Sequence, residues 1–221
     1  MILRIFLVAN LVLGLVIGLT NCASAPNQTQ SNTGAYASPQ PDNGKTLTNL
    51  MEAYNGETNA NAKYLEYAKK ANQEGYGKVA SLFRAAAKAE AVHIANHGEV
   101  IKKMGGTPKA EIKLPPIKST EENLKESVTG ELYERDTMYA DFMIEARRVG
   151  NKDALRTFNM AKIAEAEHAK LYTEALTNLE KWKGEKTTFY VCPVCGFTTN
   201  DPNLEKCPVD FTSKEKFEAI S

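Results

Sequence analysis

The chain carries one short pattern twice, Glu90-Ala91-Val92-His93 and Glu165-Ala166-Glu167-His168. The first copy lies in a run from Lys78 to His97, and the second in a run from Lys152 to Lys183. Neither run contains Gly or Pro, and both are rich in Ala, Lys and Glu, so each copy belongs on a helix. Residues i and i+3 share one helix face. The carboxylate and the imidazole of each copy can therefore reach the same ion, or the same pair of ions.

One Glu-x-x-His in a Glu-rich helix is usually a solvated surface pair. Here the residues before each copy are repeated as well. Glu57 lies 33 residues before Glu90, and Glu131 lies 34 residues before Glu165. Each half reads as a helix with Glu, a turn, and a helix with Glu-x-x-His, which is the inward-facing ligand set of a four-helix bundle that holds two metal ions.

The helical pattern supports this fold class. The first helix is expected over about Thr46 to Gln73, with an apolar stripe through Leu47, Leu50, Met51, Tyr54, Ala60, Tyr64 and Ala68. Gly75-Tyr76-Gly77 makes a turn, and the second helix runs from about Lys78 to Met104, closed by Gly105-Gly106. The proline-rich stretch Thr107 to Lys118 is long enough to return along the bundle, which makes the second and third helices parallel. The third helix begins at a capping box, Ser119-Thr120-Glu121-Glu122, and runs to about Val149. Asn151 caps the fourth, expected over about Lys152 to Lys183. The reading is a mainly α chain, with the bundle over residues 46–184 and a small β segment over 187–221.

The N-terminus reads differently. Arg4 precedes an almost wholly apolar run from Ile5 to Leu19, too short for a membrane span and suited to a secretory signal over residues 1–21. Leu19-Thr20-Asn21-Cys22 resembles a bacterial lipobox, with Asn21 a departure from its usual small residue. Cys22 is the expected lipidation site; ordinary secretion with cleavage nearby is the alternative. Residues 22–45 are rich in Ser, Asn, Thr, Gln and Pro and should form a disordered tether. An exported chain, anchored to a bacterial membrane through that lipid, is the expected location. With 27 basic and 27 acidic residues and no basic stripe, nucleic acid is not an expected partner.

Glu57, Glu90, His93, Glu131, Glu134, Glu165 and His168 form the candidate centre. An oxygen-rich set with one His per half favours iron or manganese. Five carboxylates among apolar and Ala stripes would be prohibitive to bury without cations. Tyr64 and Tyr139 follow Glu57 and Glu131 by 7 and 8 residues, two turns along the same face. They either hydrogen-bond the ligands or are plain core. His97, one turn after His93, either supports the ligands from behind or lies at the surface.

From Thr187 the texture changes. Thr187 to Val191 is β-prone, followed by Cys192-Pro193-Val194-Cys195-Gly196 and then Cys207-Pro208-Val209-Asp210. A segment this small needs a metal or a disulfide to hold a core.

The segments Gly56-Glu57-Thr58-Asn59-Ala60, Glu90-x-x-His93, Glu131-x-x-Glu134, Glu165-x-x-His168 and Cys-Pro-Val-Cys-Gly together make the chain resemble a rubrerythrin, from about Thr46 to its end. That family joins a ferritin-like di-iron domain to a rubredoxin-like domain. The resemblance implies a peroxidase that reduces hydrogen peroxide to water, with electrons delivered through the rubredoxin-like domain. It implies that Glu134 and His93 exchange at one iron on reduction. It also implies a homodimer, with the rubredoxin-like centre of one subunit near the di-iron site of the other. The departure is at Asp210, where a rubredoxin iron would take its fourth thiolate. Three readings are open: a Cys192, Cys195, Cys207 and Asp210 centre holding iron, a site holding zinc, or a dead site with Cys192 and Cys195 oxidised. The electron donor is unknown, and outside the cytosol it must differ from the nicotinamide pool. An iron-oxidising protein without a working rubredoxin centre, or a surface interaction protein on the same scaffold, are the competing functions.

Overall fold

The computed structural model of the chain describes residues 41–221. The expected leader, Cys22 and all of the tether before residue 41 lie outside the described residues. α1 (Lys45–Gln73) and α2 (Gly77–Lys103) form the first hairpin. The first arm of the second hairpin is not the single helix expected. α3 (Thr120–Tyr133) passes into a π-helical segment at Glu134–Met138 and emerges as α4 (Tyr139–Arg148). α5 (Lys152–Thr177) ends short of the expected Lys183, and the chain tightens into a 3-10 turn at Leu179–Trp182.

Local chemistry sets these boundaries. The Ser119 hydroxyl accepts from the Glu122 N–H at 3.3 Å, while Glu122 accepts from the Ser119 N–H at 3.2 Å. Two otherwise unpaired donors at the start of α3 are thereby satisfied. Asn151 caps α5 by accepting from the Ala154 N–H at 3.0 Å.

The long connection between the hairpins runs the length of α1. Gly106 sits against Leu47 near the start of α1. Asn55 and Asn59 accept from the N–H groups of Glu111 and Lys113 at 2.8 and 2.6 Å. At the far end, Glu74 accepts from the Thr120 N–H at 2.8 Å. α3 therefore starts at the end of the bundle where α2 starts, and the two are parallel, the crossover of a ferritin-like fold.

Two apolar clusters fill the bundle. One gathers Tyr64, Tyr67, Phe83, Leu171 and Tyr172; the other gathers Leu50, Ile101, Tyr139, Phe142 and Phe158. Glu57, Glu90, Glu131 and Glu165 each lie between the two clusters along their helices, and all four are fully buried.

The C-terminal sheet has the order β2-β1-β3, with β1 (Phe189–Val191) paired antiparallel to β2 (Thr198–Thr199) and β3 (Glu218–Ile220). Alternation divides β1 between two tasks. Phe189 and Val191 join the bundle's Tyr64–Phe83 cluster, while Tyr190 packs against the cysteine cluster. The segment thus holds a core by a means the sequence did not suggest, sharing that of the bundle.

Candidate metal centre

Four helices each bring a carboxylate to one buried layer, and α2 and α5 add an imidazole one turn later. Glu57, Glu90, His93 and Glu165 converge with their ligand atoms within 4.8 Å of one another, and so do Glu90, Glu131, Glu165 and His168. Glu90 and Glu165 belong to both groups and could each serve two ions.

The imidazoles are oriented alike. His93 Nδ1 lies 2.9 Å from Glu90 and 3.1 Å from Glu165. His168 Nδ1 lies 2.9 Å from Glu165 and 3.6 Å from Glu90. Each ring therefore turns Nδ1 inward and Nε2 outward. His93 Nε2 is 3.0 Å from the Cys195 carbonyl, which can only accept, so the proton is on Nε2. His168 Nε2 is 3.1 Å from the Thr198 hydroxyl, whose own proton goes to the Gly196 carbonyl at 3.0 Å. Both Nδ1 lone pairs are left for a cation.

One C-terminal loop, Cys195 to Thr198, thus holds the outer nitrogens of both imidazoles. Gly196 permits this approach. Its φ is +79°, and a Cβ there would stand 2.4 Å from His93 Nε2. The resemblance implied the rubredoxin-like centre of a partner subunit near the di-iron site; in the described chain the chain's own loop contacts both imidazoles.

The residues fit two hard cations. Glu57 Oε2, Glu90 Oε1, Glu131 Oε2, both carboxylate oxygens of Glu165 and His168 Nδ1 are buried with no hydrogen-bond partner among the described residues. Dry, unpaired oxygens and an imidazole lone pair facing one space are costly unless a cation receives them. The protonation pattern reflects the same crowding. Burial, then the charges of Glu165 and Glu57, push the Glu90 carboxyl well up. Burial and Glu165 raise Glu131 to about 7. Burial raises Glu57, but the His93 and His97 imidazoles beside it, at 3.7 and 3.9 Å, outweigh that and hold its carboxyl down. Burial pushes both His93 and His168 down, but the carboxylates around them outweigh it and hold both well up.

Glu134 is not drawn into either group. It lies half-buried at the start of the π-helical segment, and burial with the charges of Glu57 and Glu131 keeps its carboxyl well up. Tyr64 and Tyr139 both bond the cluster, and they do so crosswise: Tyr64 of α1 donates to Glu131 at 2.6 Å, and Tyr139 of α4 donates to Glu57. The π-helical segment accounts for the unequal spacings of 7 and 8 residues. A π-bulge inserts one extra residue and restores the face.

His97 is fully buried, not at the surface. Its Nε2 is 3.0 Å from the Tyr139 hydroxyl and its Nδ1 is 2.9 Å from the Thr157 hydroxyl. Burial pushes its pKa down, which favours the neutral ring. Neither Thr157 nor Thr198 was singled out in the sequence, since a lone threonine in a helix or strand carries no signal.

The second centre is formed by Cys192, Cys195, Cys207 and Asp210, whose ligand atoms lie within 4.8 Å. The three cysteines are thiols, so Cys192 and Cys195 are not joined. Cys195 and Cys207 sulfurs are 3.4 Å apart, and Cys192 Sγ is 3.3 Å from Asp210 Oδ2. The residue after each second ligand is left-handed, Gly196 at φ +79° and Phe211 at φ +64°. Asp210 therefore stands in its loop where Cys195 stands in the other. Burial raises Asp210, but hydrogen bonds from Thr212 outweigh it and keep the carboxylate charged. The Cys195 hydrogen bond brings Cys192 down to about 7, while burial pushes Cys207 up to about 11. Three thiols and a carboxylate at four corners fit one metal ion.

Comparison with known proteins agrees with this construction. A family profile described as rubrerythrin matches residues 48–176. Nigerythrin of Nitratidesulfovibrio vulgaris is 38% identical over 177 residues, covering 80% of this chain and 87% of that protein. Rubrerythrin-2 of Clostridium acetobutylicum is 37% identical over 186 residues, 80% of this chain and 98% of that one. The solved structure of fully reduced, all-ferrous nigerythrin matches with a TM-score of 0.75 and 34% identity, covering 91% of this chain and all (100%) of that one.

Proposed function

The chain belongs to the rubrerythrin family, and from that premise we propose that it is a non-haem di-iron peroxidase that reduces hydrogen peroxide to water. The family makes it a di-iron protein of oxidative-stress defence, with a further metal in the Cys192, Cys195, Cys207 and Asp210 centre. The observation that carries the peroxidase reading is the 3.0 Å contact between His93 Nε2 and the Cys195 carbonyl. It joins a thiol-ligated centre, suited to single electrons, to an imidazole of the carboxylate centre.

Two iron ions held by Glu57, Glu90, His93, Glu131, Glu165 and His168 would supply the two electrons that peroxide consumes. The protein does the rest. Glu90 and Glu165, common to both ligand groups, would help hold both ions. The Tyr64 and Tyr139 hydroxyls bind Glu131 and Glu57 and limit their swing. The two apolar clusters exclude water, which strengthens every charge interaction within the layer. Glu134 is the anionic alternative to His93. Greater positive charge at the centre favours the carboxylate, and less favours the neutral ring, so Glu134 and His93 carry the redox-linked exchange and the opening for substrate. Cys195, through its carbonyl and His93, is the route by which electrons return.

Asp210 favours a second reading. A hard oxygen ligand stabilises the ferric state and lowers the potential, which would leave an iron-oxidising protein without a working electron relay. Turnover separates the two. Iron-loaded protein given excess peroxide and an external electron donor should consume many equivalents of peroxide; one oxidation event followed by arrest would favour iron oxidation. We further propose that the chain acts outside the cytosol, anchored through a lipid on Cys22, as a homodimer. Fractionation of cells fed labelled palmitate tests the anchor, and sedimentation of the iron-loaded protein tests the dimer.

A further inference from the structure

We propose that Thr157, His97 and Tyr139 form a proton relay from a surface cavity to Glu57, serving the His93 corner of the centre alone. The inference rests on the peroxidase reading. Reduction follows H₂O₂ + 2 H⁺ + 2 e⁻ → 2 H₂O: the O–O bond breaks, two O–H bonds form, two ferrous ions become ferric, and two protons must reach a layer sealed from water.

The hydrogen bonds fix the polarity of the chain of groups. Tyr139 donates to the Glu57 carboxylate, so its oxygen is free to accept. His97 Nε2, 3.0 Å from that oxygen, must therefore carry the proton. His97 Nδ1 is then the acceptor, and Thr157, 2.9 Å away, donates to it. Every donor points inward. A proton taken up by Thr157 Oγ1 lets the Thr157 proton pass to His97 Nδ1. The Nε2 proton passes to Tyr139, and Tyr139 releases its own proton beside Glu57 to the oxygen left by peroxide.

The outer end is open. Thr157 lines a cavity of about 160 Å³ between α2, α5 and the first cysteine loop, together with Asn96, Glu99, Asp153, Arg156 and Val194. Glu99 and Asp153 at its mouth are exposed carboxylates held together by Lys103, at 2.9 and 3.5 Å. Among the described residues the other corner has no such chain. Four residues after His168, where His97 stands after His93, is Tyr172, fully buried with its hydroxyl unpartnered among the described residues.

The test pairs a rate with a measurement that needs no turnover. Fully reduced, iron-loaded protein is mixed with one equivalent of peroxide in H₂O and in D₂O. His97→Gln can keep a donor toward Tyr139 but cannot pass a proton across a ring. It should retain its iron and slow oxidation by about 10²-fold, the usual scale of a positioned proton donor. Thr157→Val should slow it as well, and Thr157→Ser should restore it. His97→Gln or Thr157→Val oxidising at the wild-type rate with wild-type iron content would overturn the relay. Independently, ¹⁵N spectra of the zinc-loaded full chain should find His97 protonated at Nε2, with an Nδ1 shift that moves in Thr157→Val and not in Thr157→Ser. A proton on Nδ1 would overturn the relay whatever the rates. Wild-type protein inert to peroxide would instead sink the peroxidase reading, and the ¹⁵N result would still decide the wire.

Discussion

The metal layer has two corners made from the same parts. At one, Glu57 of α1 and His93 of α2 meet; at the other, Glu131 of α3 and His168 of α5. Each corner has a tyrosine from the opposite hairpin on its carboxylate, and each imidazole is held from outside by the loop Cys195 to Thr198. The differences all fall on the first corner. It has Glu134 nearby, set back by the π-helical segment, and it has His97 where the second has Tyr172. His93 is held by a backbone carbonyl beside a thiol ligand, and His168 by a side-chain hydroxyl. On the proposed exchange of Glu134 and His93, the first corner is the one that changes and the second the one that stays.

The largest expected effect erases the comparison. Glu90→Ala with Glu165→Ala removes the two carboxylates common to both corners, and iron bound to the bundle should vanish while metal at the Cys192–Asp210 centre remains; metal analysis per chain checks this. Thr198→Val should separate the corners. It deprives His168 Nε2 of its acceptor and leaves His93 untouched, so metal affinity at the His168 corner should fall about 10- to 100-fold, with Thr198→Ser close to wild type. Competition with a chelator reads this directly.

Removing the metal should expose the crowding of the layer as a pH-sensitive weakness. Glu131 sits at about 7 in the fold against an ordinary 4.5, so between those values the folded state keeps a proton the unfolded chain has lost. Stability is present below the lower value and is lost as pH rises through the window. His93 and His168, raised well above 6.5, act with the same sign above it. The melting temperature of metal-free protein should therefore fall between about pH 5 and about pH 8, and that of iron-loaded protein should change much less. The smallest effect leaves both corners intact. Ser119→Ala removes half of the capping box and should cost about 1 kcal/mol of stability by denaturant titration, with no change in iron content.

Much of this was legible in the sequence, and physics explains what was not. The four helices announced themselves through amphipathic runs, the capping box at Ser119 and the Pro-rich return. The carboxylate and imidazole set was legible because it is repeated at matched spacing. The π-helical segment left one trace, the spacing of 8 residues rather than 7 between Glu131 and Tyr139, which reads as noise without the geometry. His97 stayed open between a support for the ligands and a surface residue because its partners, Tyr139 and Thr157, come from distant helices. The docking of the cysteine loop on both imidazoles was invisible, since it depends on Gly196 and Thr198 meeting α2 and α5 across the fold. Asp210 was visible as a departure, but its place at the fourth corner needed the matching turns at Gly196 and Phe211.

The most direct test of the two-cornered centre is Mössbauer spectroscopy of the fully reduced protein loaded with ⁵⁷Fe. The bundle should contribute two ferrous components of equal weight and different parameters, one for each corner, and both should disappear in the Glu90→Ala, Glu165→Ala variant. Iron confined to a single thiolate-ligated component in the wild-type protein would contradict the account.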